Sequence, residues 1–312
     1  MTTPPAGSTV RPSSRPGGRL TRRQRNQFRL WAIYGLTAIV VVVIAFSADW
    51  EKLQRVFADP DIFRDLFPEI ITVAAKNTII LALLAFTGGI LLGLVLALMR
   101  LSSIRFYRWI SLGYIEFFRG IPALLTLILV GYVLPIGLGF RVKEVLPFLS
   151  DYGTPAVGLA VVAGAYLAET IRGGIEAVPK GQMEAARSLG MGHGAAMRSI
   201  IIPQAFRVMI PPLTNEFVLL IKDTSLVFVL GVAASSQELA FFSRSAVQRT
   251  TNGTPFIAAA IMYLIITLPL TALSRYLERR GTASSRRRPT RPVLVPPGMT
   301  PSAAPNDSTW DG

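Results

Sequence analysis

The stretch "NTIILALLAFTGGILLGLVLALM", residues 77–99, runs for 23 residues without a charge. A helix needs about 20 apolar residues to cross a bilayer, so this run is read as a membrane span and the chain is read outward from it. Five further apolar runs of span length follow the same logic: 30–48, 121–139, 154–173, 213–234 and 255–273. The composition agrees. Of 312 residues 51% are hydrophobic and 16% charged, with mean hydropathy +0.47, which is more apolar matter than one soluble core normally buries. Alternating ten-residue strands are not seen. The expectation is therefore all-α: a polytopic transmembrane bundle of six spans and not a barrel.

The formal net charge of +14 raises the question of a nucleic-acid partner, and its placement answers that question. With the Arg-rich N-terminus in the cytosol and six alternating spans, segments 1–29, 100–120, 172–212 and 274–312 carry seven, four, five and seven of the 32 Lys and Arg. The opposite loops, 49–69, 140–153 and 235–254, carry three, two and two. This is the positive-inside pattern. The basic excess sets orientation and meets lipid headgroups in a plasma membrane, with both termini cytoplasmic and no nucleic acid bound. Residues 1–29 and 276–312, rich in Pro, Ser, Thr, Gly and Arg without periodicity, are read as disordered tails. A long basic region before a span-length run is an anchor and not a cleaved signal peptide.

Enzymatic chemistry finds little support. The chain has no cysteine, hence no disulfide, thiolate metal site or Cys nucleophile. Its single histidine, His193, lies between Gly192 and Gly194, a turn-like setting that suits a structural role better than catalysis or metal binding. None of the five lysines follows a glycine, so a phosphate-cradling G-K-[ST] loop is missing. No cofactor or metal is expected on this chain. If nucleotide powers it, another chain binds the nucleotide.

A charge at membrane depth is costly enough that function is the default hypothesis. In "AYLAETIRGG", Glu169 and Arg172 stand three residues apart on one helix face. In "LLIKDTSLV", Lys222, Asp223, Thr224 and Ser225 lie on the order of 14 to 18 Å past a break expected at Pro211-Pro212, which is mid-membrane. Lys76, Asn77 and Thr78 open the second span from the outer side. Two readings stand together: the charges pair with one another, Glu169 with Lys222 for instance, or they line a polar path for a solute carrying both charges. Small residues at four-residue spacing, Ala85, Gly89, Gly93 and Ala97 on one span and Ala156, Ala160, Gly164 and Ala168 on another, predict close helix packing. Pro122, Pro135, Pro211, Pro212 and Pro269 mark expected breaks or kinks.

The longest cytoplasmic loop contains "EAARSLGMGHGAAMRSIIIP", residues 184–203. Its composition predicts a short helix entered near Pro179 and closed by Gly190, then a second helix stopping at Pro203. Such a knob fits a partner's groove, or packs against its own bundle.

The spacing of Glu184-Ala185-Ala186, Gly190, Ile200 and Ile202-Pro203 resembles the EAA signature of ABC-transporter importer membrane subunits, with Ile where the family has Leu before the proline. "YIEFFRGIPALL" (114–125, with Ile121 where Thr is usual), residues 165–190 and residues 219–227 are similar to the polar amino-acid permease branch, and the likeness covers roughly residues 70–275. The resemblance implies a five-helix type I importer core (70–275) with an EAA coupling loop (176–205), preceded by an extra helix and outer loop (30–69). It implies a second permease subunit, the same or paralogous, and a cytosolic ABC ATPase dimer that binds ATP and Mg. It further implies an extracytoplasmic binding protein that delivers the amino acid. Glu184, Ala185, Ala186, Gly190, Ile200 and Pro203 then couple to the ATPase, and Glu169, with Lys222, Asp223, Thr224 and Ser225, binds substrate. Residues 101–118, with Arg105, Arg108 and Trp109, resemble an interfacial elbow helix. An ion-coupled secondary carrier is the alternative; it needs no docking loop.

Overall fold

The computed structural model describes residues 22–231 and 233–286, and all regular structure among them is helical. The chain divides after Ala58 into two units. The first contains α1 (Arg22–Ser47) and α2 (Trp50–Phe57). Trp31, Ile39, Val41, Ile44 and Phe46 of α1 are all exposed, and a helix apolar on every side is suited to lipid. α1 starts inside the segment read as a tail, because Arg and Gln between 22 and 29 are good helix formers. The remaining tail readings, over 1–21 and 287–312, fall outside the described residues.

In the second unit, α3 (Pro60–Glu69) is capped by Asp59, whose carboxylate accepts the N–H groups of Asp61 and Ile62. It continues through a π-helical turn, Ile70–Ala75, into α4 (Lys76–Leu101). The run 77–99 is thus the later part of a longer rod. α5 (Arg105–Gly120) meets α6 (Ala123–Ile128) at a bend of 108°, where Pro122 lacks the amide hydrogen needed to continue the helix. A π-helical turn, Leu129–Val133, leads into α7 (Leu134–Leu138), which Gly139 ends at φ +67°. Then come α8 (Val142–Val145), a 3-10 turn at Pro147–Tyr152 and α9 (Gly153–Glu176). α10 (Lys180–Ser188), α11 (His193–Ala196) and α12 (Ile202–Asp223) follow, the last two joined by a π-helical turn, Met197–Ile201. A 3-10 segment, Thr224–Leu230, precedes α13 (Leu239–Thr250) and α14 (Thr254–Arg286).

The centre of the unit is the α4–α9 pair. Ala85, Gly89, Gly93 and Ala97 are buried against the face carrying Ala156, Gly164 and Ala168. A Cβ at Gly93 would stand 3.0 Å from the Ala168 backbone nitrogen and 3.1 Å from the Gly164 carbonyl oxygen. Backbone meets backbone here because the glycines present no side chain, with Leu92 and Leu167 packed alongside. Leu81, Leu127, Leu159, Leu220 and Val227 form a core toward one end of α4, and Ala97, Ile171, Ile201, Ala205 and Met209 form another at its opposite end.

Four helical stretches are long and apolar enough to cross a membrane: Asn26–Ser47, Trp50–Leu101, Pro147–Glu176 and Thr254–Arg279. The bent pair Arg105–Gly120 and Ala123–Leu138 makes five if counted as one crossing. The expected span 213–234 is not a single helix. α12 begins earlier and ends at Asp223, with Arg207, Glu216 and Lys222 along it, and the chain tightens into 3-10 geometry beyond. The break expected at Pro211-Pro212 is also absent. α12 runs through both prolines; near them the Ser274 hydroxyl donates to the Pro211 carbonyl at 3.3 Å and the Thr214 hydroxyl to the Ile210 carbonyl at 2.8 Å.

Candidate functional site

One end of the second unit is built from the segment 180–203. The last turn of α10 closes in a Schellman arrangement: the Met191 N–H donates to the Ala186 carbonyl at 3.1 Å and the Gly190 N–H to the Arg187 carbonyl at 3.0 Å. Gly190 holds φ +81°, a left-handed conformation that a side chain resists. The glycine of the EAA spacing is therefore the stop of a helix. Ala186 is buried and its neighbour Met183 packs on the core of Ile171, Val178, Ile201 and Met209. Glu184 and Ala185 are exposed, and Leu189 is 83% exposed at the tip. Gln204 ties the base together, donating to the Ile200 carbonyl at 3.0 Å and to the Gln182 amide oxygen at 3.4 Å. Ile200 packs partly buried on the same core. Pro203 does not stop the second helix: the π-helical turn Met197–Ile201 joins α11 to α12, with Pro203 at the start of α12.

Above this lever, Glu169 receives two hydrogen bonds from Arg172, from Nε at 3.3 Å and Nη2 at 2.6 Å, and Arg172 also bridges to Glu176 at 2.5 Å. No ion pair joins Glu169 to Lys222 among the described residues; the pairing runs along α9 instead. The reason is level. Met209 occupies the space beside Gly174, which puts those residues at one height on antiparallel helices. At 1.5 Å per residue, Glu169 lies ~7 Å above that height, Glu216 ~10 Å and Asp223 ~21 Å. Glu216, passed over in the sequence although it is a carboxylate inside an apolar run, is the α12 acid nearest the level of Glu169. The charge of Arg119, whose guanidinium stands 5.4 Å from the Tyr166 ring centroid, acts on both. Lys222 is exposed, Asp223 half-buried, Thr224 buried with its hydroxyl donating to the Ile221 carbonyl at 2.7 Å, and the Ser225 hydroxyl donates to the Lys222 carbonyl at 2.7 Å.

The far end of α4 holds a second polar cluster. The Asn77 amide donates to the carbonyls of Ser235 and Gln237 at 2.9 and 3.0 Å and accepts the Tyr152 hydroxyl at 2.6 Å. The Thr78 hydroxyl accepts the Leu239 N–H at 3.1 Å, while Lys76 is exposed. Glu238 is fully buried. Its carboxylate caps α13, accepting the N–H groups of Ala240 at 2.5 Å and Phe241 at 2.8 Å and the Tyr263 hydroxyl at 3.2 Å. Burial pushes its pKa up to about 7, against the opposing pull of those three donors. Among the described residues no group of three or more His, Cys, Asp or Glu could hold a metal.

A helical bundle with membrane-length apolar helices, a rigid lever with an exposed tip at one end and charged groups at intermediate depth defines a membrane transport subunit of the permease class. Residues 89–282 match the binding-protein-dependent transport system inner membrane component family, and the chain belongs to that family: it is a permease subunit of an ABC importer. It is 36% identical to the L-cystine transport system permease protein TcyB of Bacillus subtilis, over 70% of this chain and 90% of that one. It is 37% identical to the arginine transport system permease protein ArgU of Corynebacterium glutamicum, over 71% of each. A crystal structure of an amino acid ABC transporter with histidines superposes with TM-score 0.61 at 37% identity, covering 69% of this chain and 95% of its own.

Proposed function

We propose that this chain is the membrane-spanning subunit of an importer for a polar or charged amino acid in a bacterial plasma membrane. The relatives named for cystine and arginine support that substrate class. A cytosolic ATPase dimer, holding the ATP and Mg, grips the lever formed by Glu184, Ala185, Ala186 and Gly190 on a base of Ile200 and Pro203. A second permease subunit and an extracytoplasmic binding protein complete the assembly. The chain crosses the membrane six times with both termini in the cytosol, α12 and its 3-10 extension making one crossing. Residues 70–275 form the core around the loop 176–205. Glu169, Lys222, Asp223, Thr224 and Ser225 contact the passing solute, with Arg119 within electrostatic reach of both Glu169 and Glu216.

The observation that carries the reading is the lever's construction: an apolar tip, Leu189, is fully presented on a helix whose Ala186 side is seated in the bundle. A tip fixed in place costs a partner little ordering entropy on docking. Because the chain has no cysteine, Leu189→Cys creates a unique thiol. A short bifunctional maleimide should join it to the ATPase subunit in membranes of the complete transporter. ATP-driven uptake by that variant with no such adduct would refute the docking.

A further inference from the structure

At the end of the bundle opposite the lever, α13 covers a cavity of about 430 Å³. The two ends are separated by the length of α4, whose first residues bond to 235–239 and whose Ala97 packs beside the lever. One wall is the face of α13 that carries Phe241, Arg244, Ser245 and Gln248, residues at helical spacings of three and four that share one side. The facing wall is the end of the 3-10 segment, Phe228 to Gly231. That wall is fixed, since the Tyr132 hydroxyl donates to the Val229 carbonyl at 2.9 Å. The Arg244 guanidinium stands 5.1 Å from the Phe228 ring centroid, held across the opening and paired with no carboxylate among the described residues.

We propose that this cavity is an outer subsite for the carboxylate of a free amino acid, gripped by Arg244 with Ser245 and Gln248 beside it and flanked by Phe228 and Phe241. An arginine fork matches a carboxylate with two parallel N–H···O bonds. A hydroxyl and an amide one turn along the same helix supply further polar contacts, and the aromatic walls shield the ion pair from water. The wall of the cavity also follows the polar run Lys222–Ser225 in the chain. The subsite rests on the import reading and extends it to the step before membrane passage.

The test uses the complete transporter in vesicles, with Ser245→Cys as the only cysteine of this chain and Gln248→Cys as a second reporter should the first fail to assemble. Labelling is followed with the anionic reagent sulfonatoethyl methanethiosulfonate and its cationic trimethylammonium counterpart, with and without L-arginine, L-glutamine or L-glutamate or their α-methyl esters. The anionic reagent should react preferentially, and one or more free amino acids should protect while the α-esters do not. Arg244→Gln should raise the concentration for half-protection about tenfold or more, the worth of a charge-assisted bidentate contact. Equal protection by an ester and its acid, or protection unchanged in Arg244→Gln, would overturn the subsite. ATP-driven uptake is read on the same vesicles: uptake without protection overturns the subsite alone, and loss of both overturns it together with the import reading.

Discussion

Replacing Gly93 by alanine adds one methyl group to the close crossing of α4 and α9. That methyl would lie 3.0 Å from the Ala168 backbone nitrogen, 3.0 Å from the Leu167 Cβ and 3.1 Å from the Gly164 carbonyl oxygen, where ordinary contact begins at 3.4 Å. Two of the three atoms are backbone and none can rotate aside, so α4 and α9 must part by a few tenths of an ångström. Opening a close-packed face by that amount forfeits part of every contact along it, and overpacking of this kind costs about 1–3 kcal/mol. Alanine's better helix propensity returns at most ~1 kcal/mol, so at full return the net loss is up to about 2 kcal/mol. With ~2–4 °C of melting temperature per kcal/mol for a chain of this size, tryptophan fluorescence in detergent should report a midpoint lower by several degrees. Gly173→Ala is the control: it adds the same methyl to α9, the partner helix of the crossing, with nothing within 4 Å of the new atom. Uptake should fall in Gly93→Ala as well, because Glu169 and Arg172 are carried by the helix that moves. Equal midpoints for the two variants would refute the close-approach argument.

Three further outcomes are expected. Burial holds the Glu238 pKa up at about 7 in the folded chain, above its unfolded value, so folding favours its neutral form; stability is fullest below the unfolded pKa and falls as pH rises through 7, by a few kcal/mol at most, on the order of the shift. Glu238→Gln should flatten that decline in melts at pH 5 and pH 8, and an unchanged slope would sink the assignment. Asn77→Leu strands two carbonyls and the Tyr152 hydroxyl at a cost of about 1–3 kcal/mol for each group left buried and dry, so amide exchange over 236–241 should quicken, and unaltered protection would show that the clamp holds nothing. Gly190→Val forces a β-branched side chain into a left-handed position at about 1–2 kcal/mol or more, so ATP-driven uptake should fail while the chain still inserts; normal uptake would exclude the turn as the lever's fixed point.

Much of the fold was legible because the bilayer makes hydropathy decisive. The 77–99 run lies in a long helix, and the Gly93 and Gly164 stripes pack as their spacing predicts. The lever's first helix also closes at Gly190, where a glycine is the stop for a stereochemical reason. The second helix and α12 were harder to read, because proline is punctuation only where a donor is required. Pro203 falls at the start of α12, just past a π-helical turn, and the helix runs on through Pro211 and Pro212. The suggested ion pair of Glu169 with Lys222 does not form for a different reason: height in the bundle is fixed by which residues pack, here Met209 on Gly174, and span boundaries alone do not reveal it. Glu238 gave no signal, since its burial depends on Tyr263 and the α13 backbone arriving from elsewhere in the chain.

The central claim is that force reaches this permease from outside the polypeptide, through the helix ending at Gly190. The most direct measurement is accumulation of a labelled amino acid against its gradient in proteoliposomes, with this chain alone and with its ATPase, companion permease and binding protein added. Accumulation should occur only in the complete, ATP-loaded vesicles. Concentrative uptake by the chain alone, driven by a proton or sodium gradient, would contradict the account.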